Sequence, residues 1–533
     1  MNNKGSTKSD IEWGSFLEES QWNLDLDTSE QFSISNSERR KIVHDSAREL
    51  LSAKRFPPIS RLSVSLSKLL SATALWYLFD KRKGKEKSRR GISRRLRLRF
   101  VKLGSAYIKL GQIISSGEGL FPKELVDEFK QLRDQVPPES FADVKKVIEE
   151  DFSRPMESIF SYFDREPIAA ASIAQVHRAT LVTGEEVVVK VQRPQVADLV
   201  RKDIKALAWL APRLVGRIPV TALANPPALV EVFAETIIEE LDFRLEADNM
   251  LCVARMLANS NQRAIVVPRP KLDLVTKRVL VMEQMHGFAF DDVIGIKDAG
   301  IDTKELLRAG LVAFAEGALI HGVFHGDLHG GNLFVLNDGK TALLDFGITG
   351  RFNEPERRAF MRLLLAGITG NTRQQVIALC ELGAFPSDLD VDAVIKDLDL
   401  DGPVKDPTKM TSEQLTQEMS QLTKKLLGYG AKAPKELMLF VKNLMFLDGA
   451  TATLAPDIDI LAEIQNVYLY LVQTHGTKIV SELGLSGDEL KPEVDIETVK
   501  STFGVTDDVD KLTYEDIKKR RELIKKRMID KVD

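Results

Sequence analysis

Apolar residues recur at helical spacing through most of this 533-residue chain, and the period drops to two over short stretches in its middle. Residues 1–36 are rich in Ser, Asn, Asp and Glu with little periodicity, which predicts a disordered acidic tail. A helix is expected over 37–55, and more helices over 100–150 with a break at Pro137-Pro138. Strand patterns follow over 174–181 and 185–191, flanking a hairpin turn at Thr183-Gly184. One long helix is expected over 227–259, its start marked by Asn225-Pro226-Pro227. Further strands are expected over 263–267 and 278–283, closed by His286-Gly287. From Thr303 to about residue 475 the pattern is mostly helical, interrupted by glycine-rich loops. Residues 511–533 read as a lysine-rich helix in a solvated tail. No internal repeat is visible.

The most apolar run is 62–79, ending in Trp76-Tyr77-Leu78-Phe79 and interrupted by Lys68 and serines. It is short for a span, which takes roughly 20 mainly apolar residues. Residues 81–102 then carry twelve Lys/Arg and one acid. An apolar face beside such a cluster suits the surface of an anionic membrane. The competing reading is a buried helix followed by a solvated basic one. No other segment is expected to be long and apolar enough to span.

Composition narrows the class. The hydrophobic fraction of 44% and charged fraction of 29% are those of an ordinary soluble protein. The net charge of −4 gives no reason to expect a nucleic-acid partner. Cys252 and Cys380 lie in hydrophobic helical contexts with no metal-ligand spacing, and are expected to be reduced core residues. The first residues hold no apolar core of a signal peptide, so a cytoplasmic protein is expected, peripheral to the inner face of the cell membrane if residues 62–102 touch lipid.

The chemistry concentrates in His325-Gly-Asp-Leu-His-Gly-Gly-Asn332 and Leu344-Asp345-Phe346-Gly347. Asp327, Asn332 five residues on, and Asp345 just before Phe-Gly reproduce the spacing of a phosphotransfer core. Asp327 would orient or deprotonate a hydroxyl. Asn332 and Asp345 supply hard oxygen ligands that hold Mg²⁺ against phosphates. Lys190, in the β-branched run Val187-Val-Val-Lys190, is the candidate for the α/β-phosphates of ATP (or ADP). A lysine there needs a carboxylate partner. Asp242 and Glu246, four apart, are expected on one helix face, with Glu240 off that face. Two distinct roles are open there: Glu246 as a candidate partner of Lys190, with Glu240 and Asp242 meeting something else.

Where ordinary kinases place a glycine-rich loop, this chain has Ile168-Ala169-Ala170-Ala171-Ser172. Alanine does not take positive φ cheaply, so this nucleotide-covering loop must differ in backbone from a glycine loop. Val281 to Met285 is the candidate hinge for adenine, with Glu283 and Met285 as its contact residues. After Gly347 the chain reaches a helix near Glu356 within a few residues. That leaves no long segment for docking a peptide and argues against protein substrates.

The Ala-rich loop, Lys109-Leu-Gly-Gln112, Glu240-Leu-Asp242 and the catalytic loop together resemble the UbiB/ABC1/ADCK (AarF-like) family of atypical kinases, over roughly residues 95–455. The late Gly449 and Leu454-Ala-Pro456 belong to the same likeness. Residues 115–122 depart from it, lacking an expected Arg and Asp.

The resemblance implies an α+β, bilobal protein-kinase-like fold with an N-terminal helical extension over the active site. The expected units are an extension over 37–150, an N-lobe over 151–287, a C-lobe over 288–475 and a charged tail over 476–533. It implies that Lys109 and Gln112 of the extension meet Glu240 and Asp242, that Lys190 pairs with Glu246, and that Asp327 is the catalytic-loop acid. It also implies ATP and Mg²⁺ as cofactors, support of isoprenoid-quinone or lipid metabolism, and a lipid or quinone-precursor ligand or lipid-biosynthetic protein partners. Two alternatives are a nucleotide-binding pseudokinase scaffold, and a small-molecule kinase like the aminoglycoside and choline phosphotransferases.

Overall fold

The computed structural model describes residues 26–52, 58–115, 121–132, 136–214, 226–260, 264–400, 434–485 and 512–529, with residues 262 and 500 and short pieces between 402 and 432. The expectations for residues 1–25 and for 116–120 of the departing segment lie outside these.

The extension is built from α1 (Leu26–Leu51), α2 (Ile59–Phe79), α3 (Lys85–Leu103), α4 (Ser105–Ser115) and α5 (Lys123–Phe129), followed by α6 (Phe141–Phe152). The first helix thus begins at Leu26, and residues 26–36, expected as part of an unstructured tail, are helical. Two helices farther along, α7 (Val196–Leu214) and α8 (Pro226–Glu239), complete its core. Ala47, Tyr107, Phe129, Ile204 and Phe233 bury their side chains together there. Burial of that kind stabilises by roughly 25 cal/mol per Å² of apolar surface. The extension therefore draws on chain that the sequence assigned to the N-lobe.

A six-stranded antiparallel sheet follows in the order β1-β3-β4-β7-β6, with β2 paired to β3. Its strands are β1 (Phe160–Phe163), β2 (Ala169–Ala170), β3 (Ala174–Leu181), β4 (Glu186–Gln192), β6 (Pro270–Val275) and β7 (Val279–Glu283). Val187, Val189 and Val191 point into one buried layer, as strand periodicity requires, and Lys190 takes the other face. Against that face packs α9 (Phe243–Asn259).

The expected single helix over 227–259 is two helices. The chain turns at Glu240-Leu241-Asp242, where Asp242 caps α9 by accepting from the Arg244 amide at 3.2 Å. Asp242 and Glu246 consequently do not share a helix face.

The second lobe holds β5 (Ile265–Val266), β8 (Gly287–Ala289), α10 (Val293–Asp298), α11 (Thr303–Glu316), β9 (Val323–His325), β10 (Leu333–Leu336), β11 (Thr341–Leu343) and β12 (Thr349–Arg351). Then come α12 (Glu354–Ile368), α13 (Thr372–Glu381), α14 (Val391–Leu398), α15 (Lys435–Leu454), α16 (Ile460–Leu483) and α17 (Tyr514–Ile529). Phe314, Phe324, Phe360 and Phe440 form its core.

Asn353 and Glu356 close a capping box, with Pro355 in the first turn of α12, directly after β12. This local chemistry starts the helix early and keeps the segment after Gly347 short. His286-Gly287 does not close the first sheet, since β8 pairs with β10 in the second lobe. The lysine-rich C-terminal helix is docked rather than solvated: Leu512 and Ile517 are buried against Leu461 and Tyr468, and Arg521 pairs with Asp448. Both cysteines are free thiols, and each is only partly buried rather than in the core.

Among the described residues two helices are long and apolar enough to cross a membrane, Arg61–Phe79 and Lys435–Leu454, which corrects the expectation that no other segment qualifies. The second is a core helix that carries Lys442 and Asn443 to the catalytic loop.

Candidate active site

Lys190 stands on β4 with its Nζ 2.7 Å from Glu246 Oε1 and 3.2 Å from Asp345 Oδ1. Glu246 is buried one turn into α9. Burial opposes the charge on Lys190, but Asp345 and Glu246 outweigh it and hold the ammonium above its ordinary range.

Asp345 adopts φ +53°, a left-handed conformation in which Asp is among the tolerated residues. The Gly347 amide donates to its Oδ1 at 3.1 Å, and Asn249 of α9 donates to the Phe346 carbonyl at 2.8 Å. Burial pushes the Asp345 carboxyl up, yet Lys190 and Lys109 draw it well below the usual carboxylate range.

The catalytic loop is fixed by its own histidine. The Asp327 amide donates to His325 Nδ1 at 3.1 Å, and His325 Nε2 lies 2.9 Å from the Asp345 carbonyl. Nε2 is therefore the protonated nitrogen, and burial keeps the ring neutral. Asn332 donates from Nδ2 to the Asp327 carbonyl at 3.0 Å, which leaves its carbonyl oxygen as an acceptor. The Leu344 amide bonds the Asn332 carbonyl at 2.8 Å, so the two metal-ligand candidates are tied through backbone.

The Asp327 carboxylate pairs with Lys442 of α15. Burial alone would raise it; Lys442, Lys109 and His329 bring it down to about 2. Sequence reasoning missed Lys442. Its signal was a lysine in the middle of an apolar helix, with no spacing to tie it to a loop 115 residues away.

From the extension, Lys109 of α4 reaches Glu240 at 2.8 Å in the turn between α8 and α9. Gln112 follows one turn along α4. Asp242, expected beside Glu240, turns instead to Arg244, 2.5 Å away, while capping α9. The Ala-rich loop is partly strand: Ala169 and Ala170 pair with Val176 and Gln175. The Ala171 carbonyl accepts from Arg193 at 2.8 Å, and the buried Ser172 carbonyl accepts from Ser105 at the start of α4. Arg193 also grips Glu139 at 2.7 Å and the Pro137 carbonyl at 2.9 Å. The loop is thus anchored to the extension and to the Pro137-Pro138 break.

At the expected hinge, Glu283 lies 3.4 Å from Arg269, and the Met285 side chain is buried with Val266, Leu336 and Ala342. Of these two residues, that leaves backbone as the means of contacting a base.

The donor set suits Mg²⁺: a carboxylate and an amide oxygen are hard ligands, and Mg²⁺ typically takes few protein ligands and completes its shell with phosphate and water. Among the described residues no group of three or more His, Cys, Asp or Glu forms a self-sufficient metal cage.

A two-lobed fold with a strand lysine, a helix glutamate and an Asp-Asn-Asp constellation defines a kinase-like protein of the phosphotransferase class. The family profile described as ABC1 atypical kinase-like domain matches residues 131–379. A probable protein kinase UbiB of Marinobacter nauticus is 31% identical over 422 residues, covering 77% of this chain and 74% of that protein. A chloroplastic aarF domain-containing protein kinase of Arabidopsis thaliana is 34% identical over 394 residues, covering 69% and 73%. An uncharacterised protein of Mycobacterium tuberculosis is 36% identical over 385 residues, covering 69% and 75%. The chain belongs to the UbiB/ABC1 family of atypical kinases.

Proposed function

We propose that this protein binds ATP (or ADP) with Mg²⁺ between its lobes and catalyses ATP hydrolysis or phosphoryl transfer to a small or lipid acceptor, in support of isoprenoid-quinone or lipid metabolism. The observation that carries the reading is Lys190 held between Glu246 and Asp345, with Asp327 and Asn332 on the adjoining loop. In this reading Lys190 neutralises the α/β-phosphates and Glu246 fixes its position. Asp345 and Asn332 would hold Mg²⁺, which supplies charge neutralisation at the transferring group. Asp327 orients the attacking hydroxyl or water. Catalysis is positioning and electrostatics rather than covalent chemistry.

The membrane contact rests on α2 and α3. Tyr77, Leu78 and Phe79 are exposed at the end of α2, with Leu70 exposed midway along it, beside the basic α3. The two helices are clipped together, with Trp76 donating to the Ser88 carbonyl at 3.0 Å and Arg95 pairing with Asp80 at 2.7 Å. An exposed apolar end flanked by Lys and Arg suits the headgroup region of an anionic bilayer. The protein would then work at the cytoplasmic face of the membrane, where a quinone-precursor or lipid ligand and lipid-biosynthetic partners reside.

The test is Mg²⁺-dependent ATP turnover by wild type and Asp345→Asn, with and without anionic liposomes containing a phenolic quinone-precursor analogue. Turnover that rises with liposomes and vanishes in the variant is the expected result. Nucleotide binding without turnover in either condition would replace this reading with a pseudokinase scaffold.

A further inference from the structure

Each of the two acids of the site carries a lysine, and the lysines come from different lobes. Asp345 pairs with Lys190 of β4. Asp327 pairs with Lys442 of α15, 115 residues farther along the chain. The first pair belongs to the metal-ligand and phosphate side of the site. The second belongs to the acid that meets the attacking group.

Lys442 is not needed to hold α15 in place. Its neighbour Asn443 is fully buried, donates to the His325 carbonyl, and accepts from the Leu328 amide at 2.9 Å. These bonds grip the catalytic loop on both sides of Asp327, and Phe440 and Leu447 bury the helix in the core of the lobe. A part-buried ion pair adds little to such a clamp, because desolvation offsets most of its attraction. Lys442 is also the only charged residue between Leu437 and Leu447, so its charge answers to Asp327 rather than to a charged helix face. Among the described residues it spends one of its three N–H donors, on Asp327 Oδ1, and its side chain stays 31% exposed, open to a further oxygen. The other cations that act on Asp327 are engaged elsewhere. Lys109 is 2.8 Å from Glu240, and His329 accepts the Gly331 amide of its own loop at 3.1 Å.

We propose that Lys442 is a second catalytic cation, whose ammonium holds the Asp327 carboxylate and donates to the phosphoryl group during its transfer. The proposal rests on the phosphotransferase reading above and adds the group that serves the attacking side. In the step, the acceptor oxygen bonds to the γ-phosphorus, the bond to the β,γ-bridging oxygen breaks, and ADP leaves with that electron pair. The proton of the acceptor hydroxyl or water passes to Asp327 and on to solvent. Charge is spread over the three equatorial oxygens while the bonds exchange. Lys190 approaches that charge from the side of Asp345, and Lys442 approaches it from the side of Asp327.

The experiment is calorimetric titration of the full chain with ADP and Mg²⁺, with and without aluminium fluoride, which takes the place of the phosphoryl group in transfer, alongside steady-state ATP turnover. Lys442→Gln and Lys442→Met remove the charge by different routes, so misfolding of one leaves the other to be read, and Lys442→Arg keeps it. The neutral variants should bind ADP like wild type and bind ADP with aluminium fluoride about tenfold more weakly. Their kcat should fall about a hundredfold with KM for ATP unchanged, and Lys442→Arg should recover much of the loss. In an Asp327→Asn background, Lys442→Gln should still weaken the fluoride complex, which a residue acting through Asp327 alone does not do. Neutral variants that bind the fluoride complex like wild type, no further weakening in the Asp327→Asn background, or loss of the fold in both neutral variants would each overturn the inference while wild-type turnover upholds the phosphotransferase reading. Wild type that turns over no ATP and binds ADP equally with and without aluminium fluoride overturns that reading, and this inference with it.

Discussion

Lys109 Nζ lies 2.8 Å from Glu240 Oε1, and this ion pair joins the extension to the turn from which α9 starts. Glu240 also borders the loop of Asp345, since a Cβ added at Gly347 would sit 3.6 Å from Glu240 Cγ. The extension thereby touches both the lysine-glutamate lobe and the metal-ligand loop. Removing one member of a largely buried pair leaves the other charge uncompensated. Lys109→Met is expected to lower unfolding stability by about 3 kcal/mol, measured by urea denaturation. Glu240→Gln combined with Lys109→Met should recover part of that loss, because no charge is then left alone.

Lys190→Met should reduce ATP turnover by about a hundredfold or more, the scale for losing a group aimed at developing charge. Glu246→Gln should cost less, since the ammonium stays beside Asp345. Steady-state kinetics of the two variants separates the phosphate contact from the residue that positions it.

Asp345→Asn is expected to fold normally, because Asn tolerates the left-handed φ of +53° as well as Asp does. Its thermal unfolding should match wild type within about 3 °C while Mg²⁺-dependent turnover disappears. Chelation of Mg²⁺ from wild type should give the same loss.

Asp327 sits at about 2 in the folded chain against an ordinary 3.8, so its deprotonated form is favoured by folding. The stability this contributes is complete above about pH 4 and is lost as pH falls toward 2. The contribution is about 2 kcal/mol. Lys442→Met removes the leading attraction and should narrow the stability difference between pH 6 and pH 3, read from urea midpoints at each pH.

Gly350 of β12 faces the ring of Phe324, and an added Cβ would come within 2.6 Å of its Cζ, Cε2 and Cε1. Phe324 is locked among Phe314, Phe352 and Phe440 and has no room to retreat. Gly350→Ala should therefore destabilise by about 2 kcal/mol, measured by urea denaturation.

Leu78→Glu with Phe79→Glu changes the exposed end of α2, away from the catalytic loops. Co-sedimentation with anionic liposomes should fall several-fold, and turnover without liposomes should stay at the wild-type level.

Local pattern carried far in this chain. The period-2 run located β3 to the residue and placed Lys190 on the sheet face opposite Val187, Val189 and Val191. The catalytic-loop residues were legible because their geometry is short-range: His325, Asp327, Asn332 and Asp345 are joined by backbone bonds across at most twenty residues. The C-terminal helix misled because its lysines masked Leu512 and Ile517, two apolar residues that are enough to dock it.

What the sequence determined by itself was the family and the two short motifs that carry the candidate site, since residue type and spacing define both. The tertiary structure decided which acid serves which lysine. Asp242 caps α9, and this break turns Glu240 to the extension and leaves Glu246 facing Lys190. It also decided that Lys442 holds Asp327. Those pairings join residues more than 50 positions apart, and what sets them is how helices pack around a common core, a property no local spacing encodes.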